Sequence, residues 1–149
     1  MERSIGRLIS ILYRKNQVYL NKVLKHLDIT ASELPILMCL FHHDGVSQES
    51  LSSFISIDKA STARAVQSLL EKGYIVKEKD SVDKRANKIY VTKHALDNRN
   101  EIQDLLDKWT EFLTEGLDAQ SINNMFDVLE DMVKKVDESD FKEKWRKEW

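Results

Sequence analysis

The chain has 149 residues, of which 42% are hydrophobic and 32% charged, and a formal net charge of -2. That length fits one ordinary domain, able to bury roughly two-thirds of its unfolded surface without a disulfide or metal staple. The single Cys39 excludes an internal disulfide and fits a reducing cytoplasm, no run approaches the ~20 apolar residues of a membrane span, and the N-terminus lacks the apolar core of a signal peptide.

One proline and four glycines point to a helix-rich chain. Over residues 4–27, Ile5, Leu8, Ile9, Leu12, Tyr19, Leu20, Val23 and Leu27 recur at spacings of three and four, the mark of a long amphipathic helix ending near Asp28. A second helix starts around Thr30-Ala-Ser-Glu33, which has the form of a capping box. Ser32 is the preferred cap, because it puts Pro35 in the first turn, where the missing N–H matters little. This helix runs through Phe41 and stops at His42-His-Asp-Gly45, with Gly45 as a left-handed terminator. Ser47 caps a short helix from Gln48 to about Ile55, with Leu51 and Phe54 inward. After the turn Ile55-Ser-Ile57, Asp58 caps a further helix that Gly73 ends. Residues 74–79 and 88–91 read as two short strands around the polar loop 80–87. Thr92 caps a helix over 93–116, with Ile102, Leu105, Leu106, Trp109, Phe112 and Leu113 in one stripe and an interruption at Gly116. A last helix over 118–137 carries Ile122, Met125, Phe126, Leu129, Met132, Val133 and Val136. The charged tail from Phe141 holds Trp145 and Trp149, and either extends this helix or packs on a partner.

The element order is that of a winged helix flanked by long helices at both chain ends, mainly α with a small β-hairpin. The winged-helix part spans 30–92, with a helix-turn-helix at about 47–72 and a wing at about 74–91.

The net charge hides an asymmetry. Residues 56–93 carry nine Lys/Arg against five Asp/Glu, residues 1–28 six against two, and residues 100–140 three against twelve. Basic charge therefore lies with the helix capped by Asp58 and its hairpin, which suits a polyanionic partner. Solvated helix faces with an uneven draw of charge are the plainer account of the acidic block.

With Val66 at the centre of the buried side, Thr62, Leu69 and Leu70 fall beside it, and Ser61, Arg64 and Ser68 fall opposite, flanked by Ala60 and Gln67. Small polar groups let a helix approach base edges closely. Arg64 is long enough for two hydrogen bonds to a guanine edge, or for a phosphate. Lys59 and the free N–H groups of the first turn favour a nearby phosphate. The candidate double-stranded DNA contacts on this helix are Lys59, Ala60, Ser61, Thr62, Arg64, Gln67 and Ser68. The hairpin tip adds Asp83, Lys84, Arg85 and Lys88. An arginine there suits the minor groove, where the negative potential is deepest. Asp83, two residues before Arg85, is placed to hold its side chain by a charge-assisted bond. A solvent-facing helix and an ordinary turn are the plain alternatives.

Leu51–Thr92 resembles the winged helix of the MarR (multiple antibiotic resistance regulator) family of transcription factors. The likeness rests on Ile57-Asp-Lys-Ala-Ser-Thr-x-Arg64, Leu69-x-x-x-Gly73-Tyr-Ile, Asp83-Lys-Arg85 and Val91-Thr92. Two positions depart from the family pattern: Ser56 and Ala95 stand where glycine is usual. The resemblance implies a homodimer through terminal helices (1–28 and 93–149), on a pseudo-palindromic operator. It implies two recognition helices in major grooves about 34–36 Å apart. It also implies repression relieved by a small ligand, often aromatic, between the dimer helices and the winged domain.

Other readings stay open. The same fold serves as a protein–protein module, or responds to zinc or oxidation. Cys39, in an apolar helix, reads more plainly as an inert core residue, and His26, His42, His43 and His94 show no metal-ligand spacing. Trp109, Phe112, Tyr13 and Tyr19 suit a ligand cavity, or more simply the core and dimer interface. An enzyme has no support: there is no glycine-rich phosphate loop and no Gly-x-Ser-x-Gly. No cofactor is expected.

Overall fold

A computed structural model of the chain describes residues 3–139; the tail with Trp145 and Trp149 lies outside them. The elements are α1 (Ile5–Val23), a 3₁₀ turn (Lys25–Leu27), α2 (Leu34–His42), α3 (Gln48–Phe54), α4 (Lys59–Glu71), β1 (Ile75–Lys79), β2 (Asn87–Val91), α5 (Lys93–Thr114) and α6 (Ala119–Glu138). Mainly helical with one antiparallel hairpin, this is a winged helix-turn-helix. The chain divides after Asp107 into two compact units, so that α5 begins in the first and ends in the second.

Local chemistry accounts for most boundaries. Ser4, Ser47, Asp58 and Asp118 each accept a backbone N–H from three residues ahead, capping α1, α3, α4 and α6. Asp28, at φ 56°, turns the chain out of the 3₁₀ turn. At the start of α2 the expectation of Ser32 as cap is corrected. The capping box closes on Thr30 instead: Glu33 N–H donates to Thr30 Oγ1 at 3.3 Å and Thr30 N–H to Glu33 Oε2 at 3.0 Å. The box occupies a turn ahead of the regular helix, which starts at Leu34, and Pro35 still falls in the first turn.

The core of the first unit is built from Leu20 and Leu24 of the α1 end, Ile36, Leu37 and Leu40 of α2, Leu51 of α3, Val66 and Leu69 of α4, Tyr74, Ile75 and Ile89 of the hairpin, and Ile102 of α5. Truncating one of the fully buried leucines, such as Leu69, costs about 2–5 kcal/mol. Tyr74 falls just before the strand, inside the core, where its hydroxyl donates to the Leu27 carbonyl. β1 pairs with β2 from Ile75 opposite Val91 to Lys79 opposite Asn87. The hairpin is anchored by Gly45 N–H to the Ile89 carbonyl at 2.9 Å and Ile89 N–H to the Val46 carbonyl at 2.8 Å. Asp44 Oδ1 accepts Val91 N–H at 2.8 Å.

One inward assignment is wrong. Leu51 is fully buried, but Phe54 is 58% exposed and stacks on His43, with ring centroids 5.2 Å apart. Phe54 is the last residue of a two-turn helix, and it is Ile55 just after it that packs against the core instead. Both departures from the glycine pattern are accommodated within ordinary elements. Ser56 adopts φ 52° without glycine, and Ala95 is buried inside the first turn of α5.

Candidate nucleic-acid interface

The segment Asp58–Glu71 folds as a capped helix with two faces. Asp58 Oδ1 accepts Ser61 N–H at 2.8 Å. That bond leads the effects that hold the Asp58 carboxyl below its usual range, with the Ser61 hydroxyl and the Arg64 charge adding to it. Thr62, Ala65, Val66 and Leu69 are buried. Lys59, Ala60, Arg64 and Gln67 are exposed, and Ser61 and Ser68 half-buried. Arg64 lies along the surface, one guanidinium N–H donating to Ser61 Oγ at 3.0 Å, and Gln67 Nε2 donates to Glu71 Oε1. Ser61, half-buried, and Arg64, exposed, thus form one polar pair near the helix start.

Thr62 must be removed from the surface-contact set. It is fully buried, and its hydroxyl donates to the Asp58 carbonyl at 2.9 Å. It lies on the Val66 side of the helix, as its angular position requires. Ser68 is already engaged: its hydroxyl donates to Glu33 Oε1 across 35 residues of sequence.

The hairpin tip is two consecutive Asx turns. Asp80 Oδ1 accepts Val82 N–H and Asp83 Oδ1 accepts Arg85 N–H, each at 3.0 Å. Asp80 N–H donates to the Ala86 carbonyl and Ala86 N–H to that of Asp83, closing the loop. Asp83 therefore holds the Arg85 backbone, not its side chain as the sequence suggested. A carboxylate two residues ahead reaches a backbone N–H more readily than a guanidinium on a long stem. Lys84 and Arg85 are exposed, and Lys88 sits 3.6 Å from Asp80 Oδ2. Val82, unremarked in the sequence, is 93% exposed at the tip.

Sequence reasoning placed Glu33 in the capping box but missed its contacts with α4. Glu33 is 4% exposed and receives Ser68 Oγ, Thr30 N–H and both contacts of Lys72 Nζ, at 2.9 and 3.0 Å. Burial alone would raise its carboxyl; the Ser68 hydroxyl, the Thr30 N–H and the Lys72 ammonium outweigh that and hold it below the ordinary range. Its partners stand 35 and 39 residues away, and no local pattern in the sequence pairs them.

A cavity of about 590 Å³ lies among α1, the Ala31–Ile36 corner, the α3–α4 turn and α4, with Tyr13, Gln17, Pro35, Ile57, Asp58 and Ser61 in its wall. Tyr13 is the one member of the proposed aromatic set that lines it. Tyr19 donates its hydroxyl to the Leu105 carbonyl, and Trp109 packs against Phe112 at 5.9 Å. The histidines are scattered: His26 meets Glu101, His43 stacks on Phe54, and His94 packs on Tyr74. Among the described residues no group of three or more His, Cys, Asp or Glu could hold a metal. Burial pushes the Cys39 thiol up, against the thiolate a redox sensor needs. Among those same residues no helix is long and apolar enough to cross a membrane.

Comparison with known proteins gives a consistent assignment. Residues 29–86 match the MarR family. A Bacillus subtilis (strain 168) protein, the uncharacterized HTH-type transcriptional regulator YybA, is 31% identical over 88 residues, 59% of each chain; the match thus spans under two-thirds of that relative. Over nearly full length, the crystal structure of a MarR transcriptional regulator from Methanosarcina mazei Go1 is 34% identical, covering 88% of this chain and 94% of that one, at TM-score 0.84. A Listeria monocytogenes MarR family structure in complex with a 26mer DNA shares the fold at TM-score 0.87 and 20% identity, covering 96% and 95% of the two chains.

Proposed function

This chain belongs to the MarR family of transcriptional regulators, and we propose that it is a sequence-specific double-stranded DNA-binding repressor. It would act as a homodimer on a pseudo-palindromic operator, released by a small molecule and working in the cytoplasm. The observation that carries the reading is the surface of α4. Ser61 and Arg64 are presented outward on a helix whose other side is locked into the core, and the chain then runs directly into a wing with Lys84 and Arg85 free at its tip. A related fold has been captured on a 26mer DNA.

In this reading α4 enters a major groove and the wing lies against the adjacent backbone or minor groove. Arg64 reads a guanine edge or grips a phosphate. Arg85 and Lys84 supply charge that releases counterions, with Asp83 fixing the loop that carries them. Lys59, Ala60, Gln67 and Lys88 flank these contacts. Dimerisation falls to α1, α5 and α6, which carry exposed apolar residues such as Leu8, Phe112 and Val133.

The cavity beside α4 is a suitable inducer site. Its volume falls in the range of about 300–1,000 Å³ typical of small-molecule pockets, and Tyr13 offers an aromatic wall. A ligand there would release DNA only if it bound one spacing of the two reading heads better than the other.

The decisive experiment recovers bound duplexes from random DNA with the full chain. A pseudo-palindrome with half-sites about one helical turn apart is the expected result. Arg64→Ala should then cost about 1–3 kcal/mol in operator affinity with fold and oligomeric state unchanged. No enrichment of any duplex, or full affinity in both Arg64→Ala and Arg85→Ala, would transfer the assignment to a protein-binding winged helix.

A further inference from the structure

The buried carboxylate of Glu33 has no place in the contacts just described. It stands at the corner between α1 and α2, and both of its side-chain partners sit on the recognition helix: Ser68 within α4 and Lys72 at its C-cap. Lys72 also lies 3.7 Å from Asp28 Oδ1 in the same corner. Around the helix, Ser68 falls between Ser61 and Arg64, so the grip is applied on the flank of the reading face itself. Glu33, Ser61, Arg64, Ala65 and Ser68 are among the residues that line one shallow depression there.

Stability alone does not require such a cluster. A buried ion pair is often matched or bettered by apolar residues of similar volume, because desolvation offsets the attraction. Directionality is what the apolar pair lacks. Ser68 and Lys72 are one helical turn apart and bind the same carboxylate, so they fix the rotation of α4 about its axis. Side chains reach about 5–6 Å from a helix axis, so a rotation of roughly 10° moves a base-contacting group on the order of 1 Å, beyond the roughly 0.5 Å within which a productive contact must be held.

We propose that Glu33 is a positioning residue for DNA reading, gripping Ser68 and Lys72 so that Ser61 and Arg64 meet the bases in one rotational setting of α4. The inference rests on the reading of α4 as the recognition helix.

The test uses the full chain, an operator recovered by selection, and a scrambled duplex of equal length at the same salt. Glu33→Met combined with Lys72→Met keeps the net charge, so the scrambled duplex should bind within about twofold of wild type, since non-specific binding follows phosphate charge. The double variant should still fold, at a somewhat lower unfolding temperature, because the Thr30 N–H and the Ser68 hydroxyl lose their acceptor while the ion pair itself is replaced without net cost. Its operator-to-scrambled affinity ratio should fall about tenfold or more. A wild-type ratio in the folded double variant would overturn the proposal and leave the cluster a stabilising role only. If the double variant does not fold, Glu33→Gln keeps the shape but loses the charge that holds Lys72 and one acceptor oxygen, so the same ratio should fall several-fold, and a wild-type ratio would overturn the proposal. A wild-type chain with no duplex preference at all would defeat the DNA reading itself, which separates that failure from the failure of the clamp.

Discussion

Ser56 shows how a single residue can hold a turn against its own preference. The α3–α4 corner needs a left-handed residue, and Ser56 supplies φ 52° although a side chain there costs about 1–2 kcal/mol. Glycine would remove that cost and add roughly 0.5–1 kcal/mol of unfolded-state entropy. Ser56→Gly should therefore raise stability by about 0.5 kcal/mol, read as a shift in urea midpoint at constant slope; a fall would mean that the serine makes a compensating contact. Glu33 gives a prediction in pH. Its folded carboxyl titrates below the usual value near 4.5, so the stabilisation it supplies is complete above the unfolded range and fades as pH falls through 4.5 toward the lowered folded value. Denaturation midpoints from neutral pH downward should decline in that window, and less steeply in Glu33→Gln. The capping carboxylates Asp58 and Asp118 and the turn carboxylate Asp80 shift the same way through their backbone N–H bonds, and remain in the variant to keep part of the decline. Equal slopes for the two proteins would refute the assignment. At this scale the sequence disclosed what is local. Ser47 and Asp58 act within a few residues of themselves, whereas Glu33 closes a local box with Thr30 and also reaches Ser68 and Lys72, far along the chain.

Among the elements, helix boundaries were legible because caps and left-handed stops are chemical signals confined to one turn. Ser47 Oγ accepts Ser50 N–H at 3.1 Å, and Ser47→Ala should cost about 1 kcal/mol by chemical denaturation, with a loss under a few tenths counting against the cap. Phe54 was misplaced because periodicity assigns a residue to a face without knowing where the core beneath that face ends. The wing was legible as a polar loop, but its internal wiring was not: a carboxylate near an arginine admits a side-chain bond or a backbone bond, and only coordinates decide. That difference can be measured. Asp83→Asn retains the acceptor for the Arg85 N–H and removes a negative charge, so duplex affinity should hold or rise slightly. Asp83→Ala releases the loop and should weaken binding several-fold, with a smaller salt slope if Arg85 no longer reaches a phosphate. Asn behaving like Ala would restore the charge-clamp account that the sequence alone suggested.

On the scale of the whole molecule, the end helices each carry an exposed apolar face. Along α1, Ile5, Leu8, Ile9 and Leu12 are each about half exposed or more, and along α6, Phe126, Leu129, Val133 and Val136 repeat the pattern at helical spacing. Contiguous apolar surface of this kind marks an association site. Charge favours association in the same sense, since residues 1–28 carry a net +4 and residues 100–140 a net -9. The sequence displayed both faces and both charge blocks, but periodicity cannot tell an internal core from an interface between copies. If a second copy covers them, Leu8→Glu in α1 or Val133→Glu in α6 should shift the sedimenting species from dimer toward monomer without unfolding the winged helix. Operator binding should then suffer far more than the lost contacts explain. A single head retains one half-site, while the tethered second head contributes an effective concentration worth about 10²–10⁴ in affinity. Half-site duplexes should therefore bind the variant and the wild type nearly alike, and full operators should not. A variant that stayed dimeric, or a monomer that held full operators at wild-type affinity, would place the interface elsewhere, and the exposed leucines and valines would need another partner to explain them.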